Sequence, residues 1–230
     1  MRNEVSAVGI QIVRWSELHA LVVTVCTFLA LAGLPLSLAA ALSGVSFAAL
    51  IFICRGQWAS GGRFGLASWV TAGRLLGVVL LPGFIASDSI SLALGAACLL
   101  VLDGIDGWLA RRWGLVSEFG EYFDKEVDAF FMLILCLMLY QGGRLGGWIV
   151  LPGLLRYGFV FFLKFARPPA AKERQTTRGK WIYLMMMVSL IFAFTPFPHL
   201  YTPAAALMTG VLVYSFAEAV VDLYRSPRDA

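Results

Sequence analysis

The sequence predicts an all-α integral membrane protein of about eight helices. Three observations carry that prediction. Of the 230 residues, 60% are hydrophobic and only 14% charged, with a mean hydropathy of +0.80, which excludes a soluble globular domain. Apolar stretches recur over residues 19–33, 36–54, 66–87, 89–110, 121–140, 147–165, 181–197 and 202–222, each near the length of a bilayer span. Lysine and arginine collect in alternate connections, as they do in chains threaded back and forth through a membrane.

The first two stretches are joined by Ala32, Gly33, Leu34 and Pro35, a break that reads as a helical hairpin, with helix 1 short for a full span. Glu4 and Glu17 spoil the basic leader of a cleaved signal peptide, and no transit peptide is evident. Arg2 and Arg14, Arg55 and Arg63, Arg111 and Arg112, Lys164 to Lys180, and Arg225 with Arg228 all fall on one side. Both termini are therefore expected in the cytoplasm. On the other side only Arg144, in the loop 141–147, interrupts connections free of Lys and Arg. The basic segment 166–180 has two readings, a stop-transfer and lipid-headgroup contact or an anion site.

The formal charge of +4, from 18 Lys+Arg against 14 Asp+Glu, reports orientation and not nucleic-acid binding. Cys26, Cys54, Cys98 and Cys136 all lie in apolar runs without CxxC spacing, and are expected as small buried hydrophobes with neither disulfide nor zinc. His19 and His199 stand alone near expected helix ends, which reads as interfacial.

The acidic residues break this apolar pattern: seven of the 14 lie between Asp103 and Asp128. Asp103 and Asp106 are three apart near the end of helix 4, and Asp124 and Asp128 are four apart in the first turns of helix 5, so each pair shares a helix face. If helices 4 and 5 are antiparallel neighbours, the four carboxylates meet at one depth inside the membrane surface. Ionised acids there cost several kcal/mol each unless neutralised. Two divalent cations would balance them, and oxygen-only ligands favour Mg²⁺ or Mn²⁺. Two such ions can bridge a pyrophosphate, so a phosphate-bearing substrate is expected. Gly107 and Ala110 leave room against the helix 4 backbone, and Arg111 suits a phosphate. Close helix packing is the competing explanation for Gly107, Ala110 and Gly120.

Asp103, Asp106, Gly107, Ala110, Arg111, Gly120, Asp124 and Asp128 together reproduce DxxDGxxAR followed at fixed spacing by G, D and D. This pattern resembles the full signature of the CDP-alcohol phosphotransferase family, class I, at all eight positions. The resemblance implies a six-helix core over 59–230, preceded by an N-terminal segment, 1–58, that adds the hairpin. It also implies a membrane enzyme of phospholipid synthesis that moves a substituted phosphate from a CDP-linked donor, commonly CDP-diacylglycerol, to a small alcohol and releases CMP. By the same analogy Asp103, Asp106, Asp124 and Asp128 hold two metals, Asp128 is the general base, and Gly107 and Arg111 contact the nucleotide alongside Ala110 and Gly120. Ser117 resembles a family position near the donor, with loop capping as its alternative. Thr71 and Arg74 resemble the family's helix-opening pattern, although Ser68 replaces its asparagine. Arg74 is expected on donor phosphate, with snorkelling to the surface as the other reading.

Arg156 and Lys180 are the candidate acceptor contacts, suited to an anionic alcohol, but the lysine-rich motif of the family's glycerophosphate enzymes does not follow Gly179 and Lys180. Serine, choline-type and polyol acceptors stay open. Glu218 and Asp222 read as interfacial charges. The resemblance further implies a homodimer, and the short loops suit a bacterial cytoplasmic membrane. Two rival readings are an inactive family member acting as a scaffold and a cation transporter. The second fits poorly, because the acids sit at one end of two helices and not at the midplane of several.

Overall fold

The structure, a computed structural model, describes residues 7–58, 62, 64–84, 89–112, 117–166 and 177–225, with the side chains of 7, 8, 106–112, 224 and 225 outside the description. Within these residues the chain forms eight α-helices and no strand: α1 (Ala7–Leu31), α2 (Leu36–Ile53), α3 (Leu66–Leu80), α4 (Ser89–Arg112), α5 (Glu118–Gln141), α6 (Val150–Ala166), α7 (Thr177–Phe192) and α8 (Pro198–Arg225). Single 3₁₀ turns follow α3 and precede α6.

Five helical segments, Gly9–Leu31, Leu36–Ile53, Leu66–Phe84, Gly147–Ala166 and Pro198–Leu223, are long and apolar enough to cross a membrane. Lipid is the solvent that accepts their many exposed Leu, Val and Phe side chains, which makes this an integral membrane protein. The other three fall short of that measure for local reasons. The apolar part of α4 ends at Ile105, among the acids, α5 carries six charged residues in its first three turns, and α7 has 16 residues.

α5 is the axis of the bundle and packs against α1, α2, α3, α6 and α7. All ten residues from Phe130 to Leu139 are buried, so this half of the helix is apolar all round because protein surrounds it all round. Apolar surface alone cannot drive such burial in lipid; close backbone approach does. Gly153 on α6 supplies it: a Cβ there would lie 2.7 Å from the Leu133 Cα.

The expected N-terminal hairpin is present, but α1 has 25 residues and is a full span, starting twelve residues before the expected position. Arg14, Glu17 and His19 depress the hydropathy of its first turns, yet Ile12, Trp15, Ser16 and His19 are buried there. His19 is accordingly not interfacial. Its ring stacks on Trp15 with centroids 4.3 Å apart, meets Phe47 at 4.4 Å, and its Nδ1 is 3.0 Å from Ser46 Oγ. His199 is exposed in the first turn of α8, as expected. Gly33, at φ 111°, ends α1 in a Schellman motif: the Leu34 N–H donates to Leu29 O (2.9 Å) and the Gly33 N–H to Ala30 O (3.2 Å).

Cys26, Cys54 and Cys136 are buried, whereas Cys98 is exposed on α4, because a helix at the rim of a membrane bundle offers apolar residues to lipid as readily as to protein. Arg144 is more than a stray charge in the loop. Its guanidinium donates to the carbonyls of Ala193 (3.1 Å) and Thr195 (3.2 Å) just past α7, and also reaches Ser89 Oγ at the start of α4. It ties the ends of three helices at the face opposite the acids.

Gly153→Ala is expected to force α5 and α6 apart and cost about 1–3 kcal/mol, the range for overpacking a filled interface. Gly158→Ala, whose Cβ would meet nothing within 4 Å, serves as the control, with a change of at most about 1 kcal/mol. Melting in detergent checks both, and equal melting temperatures for the two variants would contradict this packing.

Candidate active site

Helix lengths set the depth of the site. Arg74 lies eight residues into α3, Asp128 ten into α5 and Asp103 nine from the end of α4, so at 1.5 Å per residue all three sit about 12–15 Å inside the same end of the bundle. Among the described residues α4 and α5 share no extended packing contact, yet Asp103 meets Asp124 and Asp128 at one depth, as the sequence suggested. Among the described residues α3 packs against both and α7 contacts both, leaving Asp103 to face Asp124 and Asp128 across a cleft.

Arg74 closes that gap. Its side chain is 1% exposed, so it does not snorkel, and it also makes no surface contact. Nη1 lies 2.8 Å from Asp103 Oδ1 and donates to Asp124 Oδ1 at 2.9 Å, while Nη2 donates to Asp128 Oδ1 at 2.5 Å. The three carboxylates are part-exposed, at 24%, 34% and 20% for Asp103, Asp124 and Asp128, so the cluster is open to a ligand on one side. One oxygen from each lies within 4.8 Å of the others.

A stripe at helical spacing lets α3 approach α5. Ser68, Thr71 and Arg74 recur every three residues and are all buried. The Thr71 hydroxyl donates back to Ala67 O at 3.1 Å. Gly120 faces Ser68, and a Cβ on it would lie 3.6 Å from Ser68 Oγ and 3.0 Å from Ser117 Oγ. Ser117 is the N-cap of α5, its Oγ accepting from the Gly120 N–H at 3.0 Å, which is the capping alternative raised for it. Asp106, Gly107, Ala110 and Arg111 lie on the α4 backbone, one to two turns beyond Asp103, and their side chains lie outside the described residues. So do Arg167, Lys172 and Arg174 of the basic segment.

These three carboxylates fit divalent metal by two observations. Their donor set is oxygen only, which suits hard cations, and a positive group already sits among them in the form of the Arg74 guanidinium. A family model for CDP-alcohol phosphatidyltransferase matches residues 64–217, more than half of the chain and including every position of the acidic pattern. The chain belongs to this family. No solved structure matches it. CDP-alcohol phosphotransferase activity in general, with a CDP-alcohol donor and an alcohol acceptor, follows from membership. α1 and α2 precede the family match.

Two CDP-alcohol phosphatidyltransferase residues near the cluster were not singled out by sequence. Tyr183 on α7 donates through its hydroxyl to the Asp128 carbonyl at 3.3 Å, tying α7 to the helix that holds the acids. Glu126 is two residues from both Asp124 and Asp128, hence some 200° around α5, and points away from the cleft. It is 1% exposed and takes Arg156 Nε at 2.9 Å and Nη2 at 2.6 Å on one oxygen. Tyr122 lies beneath the Arg156 guanidinium, which is 5.8 Å from the ring centroid. Arg156 is thus joined to a buried acid on the far side of α5. Lys180 is exposed in the first turn of α7, and Glu218 and Asp222 are exposed on α8, Glu218 pairing with Arg178 at 3.2 Å.

Breaking the Glu126–Arg156 pair from one side strands a charge in the bundle. Glu126→Ala is expected to cost about 2–4 kcal/mol, somewhat under the range for a fully buried pair because Arg156 is part-exposed. Glu126→Leu with Arg156→Leu should recover most of that loss in a detergent melt. An unshifted melting temperature for Glu126→Ala would show the pair to be solvated.

Proposed function

We propose that this protein transfers a phosphatidyl group from CDP-diacylglycerol to the hydroxyl of a small alcohol and releases CMP. The observation that carries the reading is the convergence of Asp103, Asp124 and Asp128, from α4 and α5, within reach of one cation. Asp103, Asp106, Asp124 and Asp128 would hold two divalent ions, Mg²⁺ or Mn²⁺. Bound there, such ions draw negative charge from a diphosphate and stabilise the leaving phosphate oxygen.

The protein's own residues do the rest. Asp128, the deepest acid on α5, accepts the proton of the acceptor hydroxyl as its oxygen bonds to phosphorus. The bond from phosphorus to the CMP oxygen breaks in the same displacement, and the electron pair leaves with CMP. Gly107, Ala110, Arg111 and Gly120 line the nucleotide side in this reading, with Thr71 and Ser117 supporting α3 and the start of α5. A groove lined by Gly77, Leu81, Leu92, Gly95 and Leu99 runs between α3 and α4 from one turn beyond Asp103 toward the opposite face, and gives a donor acyl chain a path into lipid. In this reading the active site and both termini would lie at the cytoplasmic face, in keeping with the Lys and Arg of the connections on that side. Lys180 would meet the acceptor, whereas Arg156, expected there from the sequence, is held by Glu126 on the far side of α5; a homodimer is part of the same reading. The cationic groups of the cleft favour enzyme over transporter: Arg74 binds all three described acids and would block a cation path through them.

CMP release from CDP-diacylglycerol by detergent-purified protein tests the proposal, against serine, glycerol 3-phosphate, inositol, inositol phosphate and choline. Release should depend on one acceptor, stop on chelation and return with Mg²⁺ or Mn²⁺. Asp128→Asn should lower the rate by about 10²–10⁴-fold, the usual worth of a positioned general base. Release unaffected by chelation or by Asp128→Asn would refute the mechanism.

A further inference from the structure

We propose that Arg74 is a built-in counter-cation that competes with divalent metal for the carboxylates of Asp103, Asp124 and Asp128. The proposal rests on the metal-holding part of the reading above and goes beyond it, because it assigns to α3 a control over how tightly metal is held.

The argument is one of charge and space. Three carboxylates meet a single guanidinium, and one oxygen of each is spent on it at 2.5–2.9 Å. One oxygen from each of the three carboxylates also lies within 4.8 Å of the others, a span that a single cation can bridge. A guanidinium and a divalent ion on the same three carboxylates repel each other, and in a low-dielectric setting that repulsion is far larger than in water. Arg74 cannot relieve it by swinging to solvent, since its side chain is 1% exposed and rooted on the buried stripe with Ser68 and Thr71. The alternative arrangement keeps Arg74 on one oxygen of each acid and gives metal the other; Arg74 would then be a holder that aids metal binding. The two arrangements differ in sign when Arg74 is removed.

What the competition provides is a site that stays assembled by itself. With Arg74 in place the cleft has an internal cation, and α3, α4 and α5 remain joined without added metal. The cost is affinity, which Arg74 lowers by occupying the ligands.

The test is Mn²⁺ binding to the full chain in detergent micelles, read from the electron paramagnetic resonance signal of free Mn²⁺, for wild type, Arg74→Met and Arg74→Lys. Melting with and without Mn²⁺ accompanies each titration. Arg74→Met is expected to hold its first Mn²⁺ about tenfold more tightly than wild type, a change of about 1.4 kcal/mol. Its melting temperature should fall without metal and rise with Mn²⁺ by more than that of wild type. Arg74→Lys, which keeps the charge but has a single head in place of the fork, should lie between the two, and it decides the matter alone if the Met variant does not elute as one species. Equal or weaker Mn²⁺ binding in the variants overturns the competition while leaving the metal site in place. No Mn²⁺ binding by any of the three proteins overturns the metal reading as well.

Discussion

Carboxylates held at membrane depth need a positive partner, and the Arg74 guanidinium is the partner that the rest of this structure is arranged around. It joins α3 to α4 through Asp103 and to α5 through Asp124 and Asp128. Without it the two acidic helices would face each other across a cleft with nothing but repulsion between them. Small side chains make the contact possible: Ser68, Thr71 and Gly120 let α3 lie close enough to α5 for the guanidinium to span the gap.

α5 then has to satisfy two opposite acidic faces at once. On the cleft face Asp124 and Asp128 share the Arg74 guanidinium, and on the other face Glu126 has Arg156 of α6, so each acidic group on the inner turns of α5 meets a cation on a neighbouring helix. The N-terminal hairpin seals the second face. Trp15 and His19 of α1 pack with Phe47 of α2, and Phe47 meets Phe130 of α5 at 5.5 Å. Lys164 and Glu17 join α6 to α1 at 2.7 Å, and Gln141 at the far end of α5 donates to Ala30 O at 3.1 Å. The hairpin is in this sense a wall of the bundle, although it precedes the region of family similarity.

Much of this was legible in the sequence, and what was not has physical causes. Hydropathy located the helices because lipid imposes one length and one composition on them. It misplaced the start of α1, where charged and aromatic residues face protein and not lipid. The spacing of Asp103, Asp124 and Asp128 revealed a cluster, but spacing says nothing of what stands between two helices; α3 came between α4 and α5. Glu126 was hidden by its neighbours, since a seventh acid in an acidic window looks like more of the same until its position on the helix circumference is considered. Tyr183 acts through its hydroxyl on a backbone carbonyl, a contact that no sequence pattern marks. Arg144 looked like a weak topology signal because its partners, the carbonyls past α7, are common to every residue type.

The central claim, that the aspartates of α4 and α5 hold metal against a nucleotide diphosphate, is most directly tested by anomalous diffraction at the manganese edge from crystals grown with Mn²⁺ and CDP. The account expects two manganese peaks in the cleft between α4 and α5, ligated by Asp103, Asp106, Asp124 and Asp128 and adjoining the diphosphate. Manganese bound elsewhere, or CDP bound with no manganese among these aspartates, would contradict it.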